Sequence, residues 1–191
     1  MAHPDRHFLS SRRFFLASAA AALALPATAE AEISKALITG SMARFKLTRP
    51  PKPMPDLEFL DADNKPVRLA DFTGQARLIN LWATWCAPCV KEMPSLDRLQ
   101  ANMPRDRFTI LPISLDGPTK AKVAPFYKER DLSNLPIFYD KGRKAMSTLG
   151  VTLLPTSILV DPAGLELGRI EGDADWDTLE GLALMRAAMA S

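Results

Sequence analysis

Cys86 and Cys89 are the two cysteines of the chain, and they stand in Trp85-Cys86-Ala87-Pro88-Cys89. The apolar run Ala76 to Ala83 precedes them, and a helical pattern from Cys86 to about Asn102 follows. A cysteine that opens a helix meets unpaired backbone N–H groups and the positive end of the helix dipole, and both favour a thiolate. The end of a buried strand should also leave its sulfur accessible. Cys89 lies three residues on, nearly one turn, which puts both side chains on one face and within disulfide range. Such a pair is suited to thiol-disulfide exchange, in which Cys86 attacks and Cys89 resolves the mixed disulfide from a more buried place.

Three plainer readings compete. A structural disulfide across three residues closes a very small loop and constrains the unfolded chain little. A metal knuckle needs two further ligands at least. Plain core cysteines leave the adjacent Trp85, the strand-to-helix setting and the proline between them unexplained. The histidines bear on the second reading, because both, His3 and His7, lie in the first seven residues.

Residues 1–29 read as an export signal. Arg12 and Arg13 precede an apolar run from Phe14 to Leu25, and Ala27-Thr28-Ala29 is a small-residue cleavage site. Ser11-Arg12-Arg13-Phe14-Phe15-Leu16 has the look of a twin-arginine signal, with an ordinary secretory signal as the alternative. An uncleaved anchor is the third reading, although the run of about 12 residues is short of the roughly 20 a spanning helix needs. Cleavage removes both histidines, which excludes Ser-His-Asp and Cys-His catalysis and any histidine-bearing zinc or copper site. It also removes Arg6, Arg12, Arg13 and Asp5, leaving 21 basic and 21 acidic side chains. A balanced chain gives no electrostatic ground for nucleic-acid binding. No cofactor and no metal are expected, and the lone cysteine pair suggests a monomer.

The elements that must position the pair alternate. After an N-terminal extension (residues 30–55, with one short helix in 32–40 and the proline-rich linker RPPKPMP at 49–55), a single domain should fill 56–191. Short strands are expected at 56–60 and 67–69, a strand buried on both faces at 76–83, and a strand at 108–115. Residues 119–130 read as a helix interrupted by Pro125. A short strand at 137–139 and a short helix at 143–149 precede a hairpin of 156–160 and 165–170. A final amphipathic helix at 175–190 has Leu179, Leu182, Leu184, Met185 and Met189 for its buried stripe. This order gives an α/β fold: a central mixed β-sheet flanked by helices.

The stretch Asn80 to Pro94 (NLWATWCAPCVKEMP) resembles the TlpA-like branch (TlpA, ResA, CcmG) of exported thioredoxin-fold thiol-disulfide oxidoreductases, and TlpA most. Pro55-Asp56-Leu57 through Leu69-Ala70-Asp71-Phe72-Thr73-Gly74 is similar to that branch's lead-in, Gly150 to Ser157 to its cis-proline segment, and Gly172-Asp173-Ala174-Asp175-Trp176 to a late loop of TlpA. The resemblance implies a thioredoxin-like fold, Cys86 as nucleophile and Cys89 as resolving thiol. It implies that Pro155 is the cis-proline facing the cysteines, with Leu154 offering backbone hydrogen bonds to an extended substrate segment. Trp85 and Trp82 are either packing residues or an apolar platform for partners, and Pro94 would bend the active-site helix. Glu92, three residues after Cys89, would be the acid that accepts the resolving thiol's proton, with a solvated helix glutamate as its bland alternative. Asn80 stands where ordinary thioredoxins carry a buried aspartate, which makes that role for Glu92 more plausible.

Ala87-Pro88 lacks the histidine that strong oxidants of the fold often place between their cysteines, so a reducing couple is expected. The resemblance implies a periplasmic reductase recharged by a membrane DsbD/CcdA-type donor. Its implied clients are the copper-site proteins of cytochrome oxidase assembly, a Sco-like chaperone and the CuA subunit. Apocytochrome c, the client of ResA- and CcmG-like proteins, is the alternative. CcmG-type proteins usually follow the cis-proline with glutamate, and here it is Thr156. A thiol peroxidase needs a threonine three residues before its cysteine, and Thr84 is two before Cys86. A Sco-type copper chaperone needs CxxxC and a histidine. A non-enzymatic interaction module is the remaining alternative.

Overall fold

In the computed structural model, which describes Met1 and residues 33–117 and 121–191, eight strands form one sheet in the order β1-β8-β7-β4-β5-β6-β2-β3. The export-signal reading therefore lies outside the described residues, Met1 apart. The strands are β1 (Lys46–Pro53), β2 (Glu58–Asp61), β3 (Pro66–Arg68), β4 (Ala76–Trp82), β5 (Phe108–Ser114), β6 (Phe138–Asp140), β7 (Thr156–Val160) and β8 (Leu165–Glu171). The helices are α1 (Ala87–Ala101), α2 (Val123–Glu129), α3 (Ala145–Thr148) and α4 (Leu179–Ala188). β4 runs parallel to β5, and β5 to β6, while every other pairing is antiparallel. The expected mixed sheet of a thioredoxin-like fold is thus present.

β4 is buried along its whole length, so its side chains feed two cores in alternation. Leu78 and Trp82 join the core that contains residues of α1 and α4, and Ile79 and Leu81 join the one on the opposite face. Asn80, by the same period of two, faces the α1 side. Its register partner on β7 is Ser157.

The proline-rich segment is not a linker. Residues 46–53 form the edge strand β1, which pairs with β8 across an irregularity between Leu47 and Lys52. Prolines fit there because an edge strand needs only half of its N–H groups for the ladder. Ile33, Met42 and Phe45 are buried in the α1-side core, so this stretch packs with the sheet rather than preceding it. The single short helix expected over 32–40 is two 3₁₀ turns, Lys35–Leu37 and Gly40–Met42.

Two helix expectations also shift. α2 begins at Val123, so Pro125 falls in its first turn, where the missing N–H has no intrahelical partner and interrupts nothing. α4 begins at Leu179 behind the cap Thr178, whose hydroxyl accepts the Gly181 N–H at 3.2 Å. Its buried stripe is Gly181, Leu184, Met185 and Ala188, and Leu179 lies off that stripe at 84% exposure. Residues 175–177 are drawn out of the helix into a loop that reaches the site.

Candidate active site

α1 starts where β4 ends, and Cys86 is its N-cap. The residue is extended (φ −93°, ψ 102°), and its Sγ accepts the Cys89 N–H at 3.3 Å. Pro88 lies in the first turn, where its fixed φ suits the helix and its lack of an N–H costs nothing. Cys86 and Cys89 form a disulfide with Cα atoms 5.2 Å apart. Cys86 is 7% exposed and Cys89 not at all, so the nucleophile candidate is the outer sulfur but only marginally open. Trp85, beside it, is 67% exposed, whereas Trp82 is fully buried against Phe126 and Tyr127. Trp82 is therefore a packing residue, and Trp85 is the one free to meet a partner.

The Leu154–Pro155 peptide is cis. β7 begins immediately after it, with Thr156 opposite Leu81 of β4, so Pro155 stands at the same end of the sheet as the cysteines. Leu154 is half-buried, and its backbone makes no hydrogen bond among the described residues. The Thr156 hydroxyl donates to the Leu153 carbonyl at 2.8 Å and closes the turn that precedes the proline.

Glu92 is a buried side chain, which excludes the solvated-helix alternative. Its Oε1 accepts the Asn80 amide at 2.8 Å, and its Oε2 accepts the Ala174 backbone N–H and the Trp176 indole N–H, both at 3.1 Å. Asn80 Nδ2 also donates to Ser157 Oγ at 2.9 Å. All these donors are neutral. Burial pushes the Glu92 carboxyl up from its ordinary 4.5 to about 7, because the three hydrogen bonds offset only part of the lost hydration. The carboxyl is thus poised to gain or lose a proton at neutral pH, one helical turn after Cys89.

A second carboxylate steadies the loop before Cys86. Asp116, just past β5, accepts the Thr84 N–H and the Thr84 hydroxyl, both at 2.7 Å, and the Ser114 hydroxyl at 2.9 Å. The Thr84 hydroxyl is therefore committed to Asp116.

The sequence singled out Cys86, Cys89, Glu92, Trp85, Leu154 and Pro155, and the fold gathers the elements that bear them at one end of the sheet. Sequence reasoning passed over Ser157, Ser95 and Asp116, and it placed Trp176 in a late loop and at the start of the final helix without giving it a role. A signal existed for Ser157 and Asn80, each a polar residue inside an apolar strand run. Asp116 and Trp176 gave none, because their partners are 32 and 84 residues away. Among the described residues no three or more His, Cys, Asp or Glu side chains converge as a metal site would require.

Comparison with known proteins matches residues 50–165 to the AhpC/TSA family. The thiol-disulfide oxidoreductase ResA of Bacillus thuringiensis subsp. konkukian is 36% identical over 129 residues, 68% of this chain and 73% of the relative. A protein described as a DsbE-type thiol:disulfide interchange protein from Chlorobium tepidum superposes with a TM-score of 0.65 at 24% identity, covering 75% of this chain and 99% of that one. The exposed lipoprotein thioredoxin of Streptococcus pneumoniae does so with a TM-score of 0.56 at 27% identity, covering 69% and 97%.

Proposed function

This chain belongs to the AhpC/TSA family and, within it, to the thiol-disulfide oxidoreductases of the TlpA/ResA/CcmG branch, and from that premise we propose that it is an exported reductase of protein disulfides. The observation that carries the exchange chemistry is Glu92, a buried carboxyl raised to about 7 one turn beyond Cys89, and the reducing direction rests on Ala87-Pro88, which puts no histidine between the cysteines. Resolving a mixed disulfide requires Cys89 to lose its proton in a place water does not reach, and a base with that affinity is suited to take it.

The reduced Cys86 thiolate, favoured by the α1 N-terminus, attacks one sulfur of a client disulfide. A mixed disulfide forms and the client's other sulfur leaves as a thiolate. Glu92 takes the Cys89 proton, and the Cys89 thiolate attacks Cys86 Sγ. The Cys86–Cys89 disulfide forms and the second client sulfur leaves. The client gains two electrons, the protein loses two, and the client thiolates take up protons from solvent and from Glu92. Trp85 and the Leu154 backbone beside Pro155 would hold the client segment as an added strand. A membrane DsbD/CcdA-type donor would return the electrons, and the protein would act as a monomer in the periplasm. Among the described residues no helix is long and apolar enough to cross a membrane.

As clients we propose a Sco-like chaperone and the CuA subunit. Thr156, turned back onto Leu153 where CcmG-type proteins carry glutamate, supports that choice. Apocytochrome c, which the resemblance to ResA- and CcmG-like proteins implies, is the second reading, and the ResA match supports the branch. Peroxide reduction is disfavoured, since the nearby threonine hydroxyl is held by Asp116.

Two measurements test this. Equilibration with thiol buffers should give a potential near thioredoxin's, about −270 mV, and a value near about −120 mV would mark a disulfide donor instead. A Cys89→Ser protein, which cannot resolve, should accumulate a mixed disulfide with an oxidised CuA domain or Sco-like chaperone in preference to apocytochrome c. The opposite preference selects the second reading.

A further inference from the structure

Residues 172–177 form a loop with more anchors than a connection needs. Gly172 turns the chain at φ +89°, a conformation that favours glycine, and its N–H donates to the Pro155 carbonyl at 2.8 Å. Two side chains of α1 hold the loop from outside: Lys91 on Asp173 at 2.8 Å and Arg98 on Asp177 at 2.6 Å. Arg44 donates to the Glu171 and Asp173 carbonyls. Inside, Ser95 Oγ accepts the Trp176 N–H at 3.2 Å. The indole of Trp176 is fully buried, with its N–H on Glu92 Oε2. One loop therefore touches both the residue after the cis peptide and the acid one turn beyond Cys89.

We infer that Trp176 is a positioning residue for thiol-disulfide exchange: its indole N–H, with the Ala174 amide, fixes the Glu92 carboxylate and sets the pH at which that carboxylate can take the Cys89 proton. The inference rests on the reading of Glu92 as that proton's acceptor.

The surroundings make the indole bond decisive. On the strand side Glu92 meets Asn80 of β4, with Ser157 of β7 behind it, and neither carries charge. On α1 its neighbours are Ser95 and Cys89, and Lys91 is exposed and spent on Asp173. On the loop side Asp173 is the one charge acting on it, and it opposes ionisation. No cation among the described residues bonds Glu92, so three neutral donors alone stabilise its anion. Deleting one must raise its proton affinity.

The test compares three full-length proteins: wild type, Glu92→Gln, and a protein whose Trp176 is replaced by 3-benzothienylalanine. That isostere keeps the shape and exchanges only N–H for sulfur. Trp176→Phe, checked for native circular dichroism, serves as a second variant. Carbon-13 spectra of the glutamate carboxyls report the midpoint in the disulfide form. Single-turnover release of a model mixed disulfide reports the pH profile of the resolving step. We expect a wild-type midpoint near 7 in both readouts, absent from Glu92→Gln, and moved up by about one pH unit in both readouts with the isostere. An unmoved carboxyl midpoint overturns the inference while leaving Glu92 as acceptor. A moved midpoint with an unchanged rate profile overturns the inference, and a Glu92→Gln protein that resolves at the wild-type rate overturns the acceptor reading as well.

Discussion

Glu92 and Glu166 are the same residue type, and each is 2% exposed, yet the molecule treats their protons in opposite ways. Glu166 lies on β8 at the proline-rich edge. Arg169 grips it with two nitrogens at 2.8 Å each, the Thr48 hydroxyl donates at 2.9 Å, and Lys52 stands at 3.5 Å. Burial alone would raise its carboxyl, but these partners outweigh burial and hold it below the usual carboxylate range. Glu92 has as many donors but no cation, so burial wins and its carboxyl rises to about 7. Whether a buried acid is a fixed strut or a proton carrier is decided by the charge of its partners rather than by depth or by the number of hydrogen bonds. The strut joins β1 to β8 at one edge of the sheet, with β7 between β8 and the β4 strand that leads to the cysteines. The carrier sits where exchange needs a base.

The contrast can be broken most severely at the strut. Arg169→Met leaves Glu166 with the Thr48 hydroxyl and one exposed lysine, and should cost about 3–5 kcal/mol in denaturant unfolding at pH 7. The double variant Glu166→Gln with Arg169→Met should recover most of that loss. A single variant as stable as wild type would show that the ion pair does not hold the edge.

Next in size is the pH dependence at the carrier. The folded pKa of Glu92 lies above its ordinary 4.5, so the folded state holds a proton that the unfolded chain releases between 4.5 and about 7. Stability is then full below about pH 4.5 and falls as pH rises through 7, by about 3 kcal/mol from this group. Urea midpoints of the disulfide form should show that slope, and Glu92→Gln should flatten it and leave the protein more stable than wild type at pH 8. Glu166 gives the reverse sign: its folded pKa is lowered, so its contribution is full above the ordinary 4.5 and is lost as pH falls through the lower folded value. Glu166→Gln should remove an acid-side loss and leave the neutral-side slope untouched.

A smaller effect is expected at Asp116. Asp116→Ala strips the Thr84 N–H and hydroxyl of their acceptor, which should cost about 1–3 kcal/mol and slow attack by Cys86 without moving the midpoint near 7. Stopped-flow reduction of a model disulfide separates these. The smallest effect belongs to Lys91→Ala at the exposed pair with Asp173, where the unfolding midpoint at physiological salt should stay where it is.

How much of this was legible before folding differs residue by residue. Cys86, Cys89 and the strand and helix that hold them were readable, because their spacing and the apolar run are local facts. Glu92 was readable as a residue but not as a buried one: the helix pattern does not say what covers position 92. The cover is Trp176, 84 residues away, and the helix expected over 175–190 had absorbed it. The proline-rich stretch misled because composition reports that a segment is extended without reporting whether a neighbour pairs with it. Leu179 misled because the stripe depends on where the helix starts, and that start depends on a loop held by α1.

The redox pair, the absence of histidine after residue 7 and the alternation along β4 that sends Asn80 to the α1 face were legible without the fold. These follow from covalent order and from the short periods of strand and helix. That Glu92 is buried among neutral donors, and Glu166 with Thr48 and Lys52 beside its guanidinium partner, comes from contacts made across the fold. Each carboxyl's proton affinity is set by groups brought to it across the fold, and no local pattern records them.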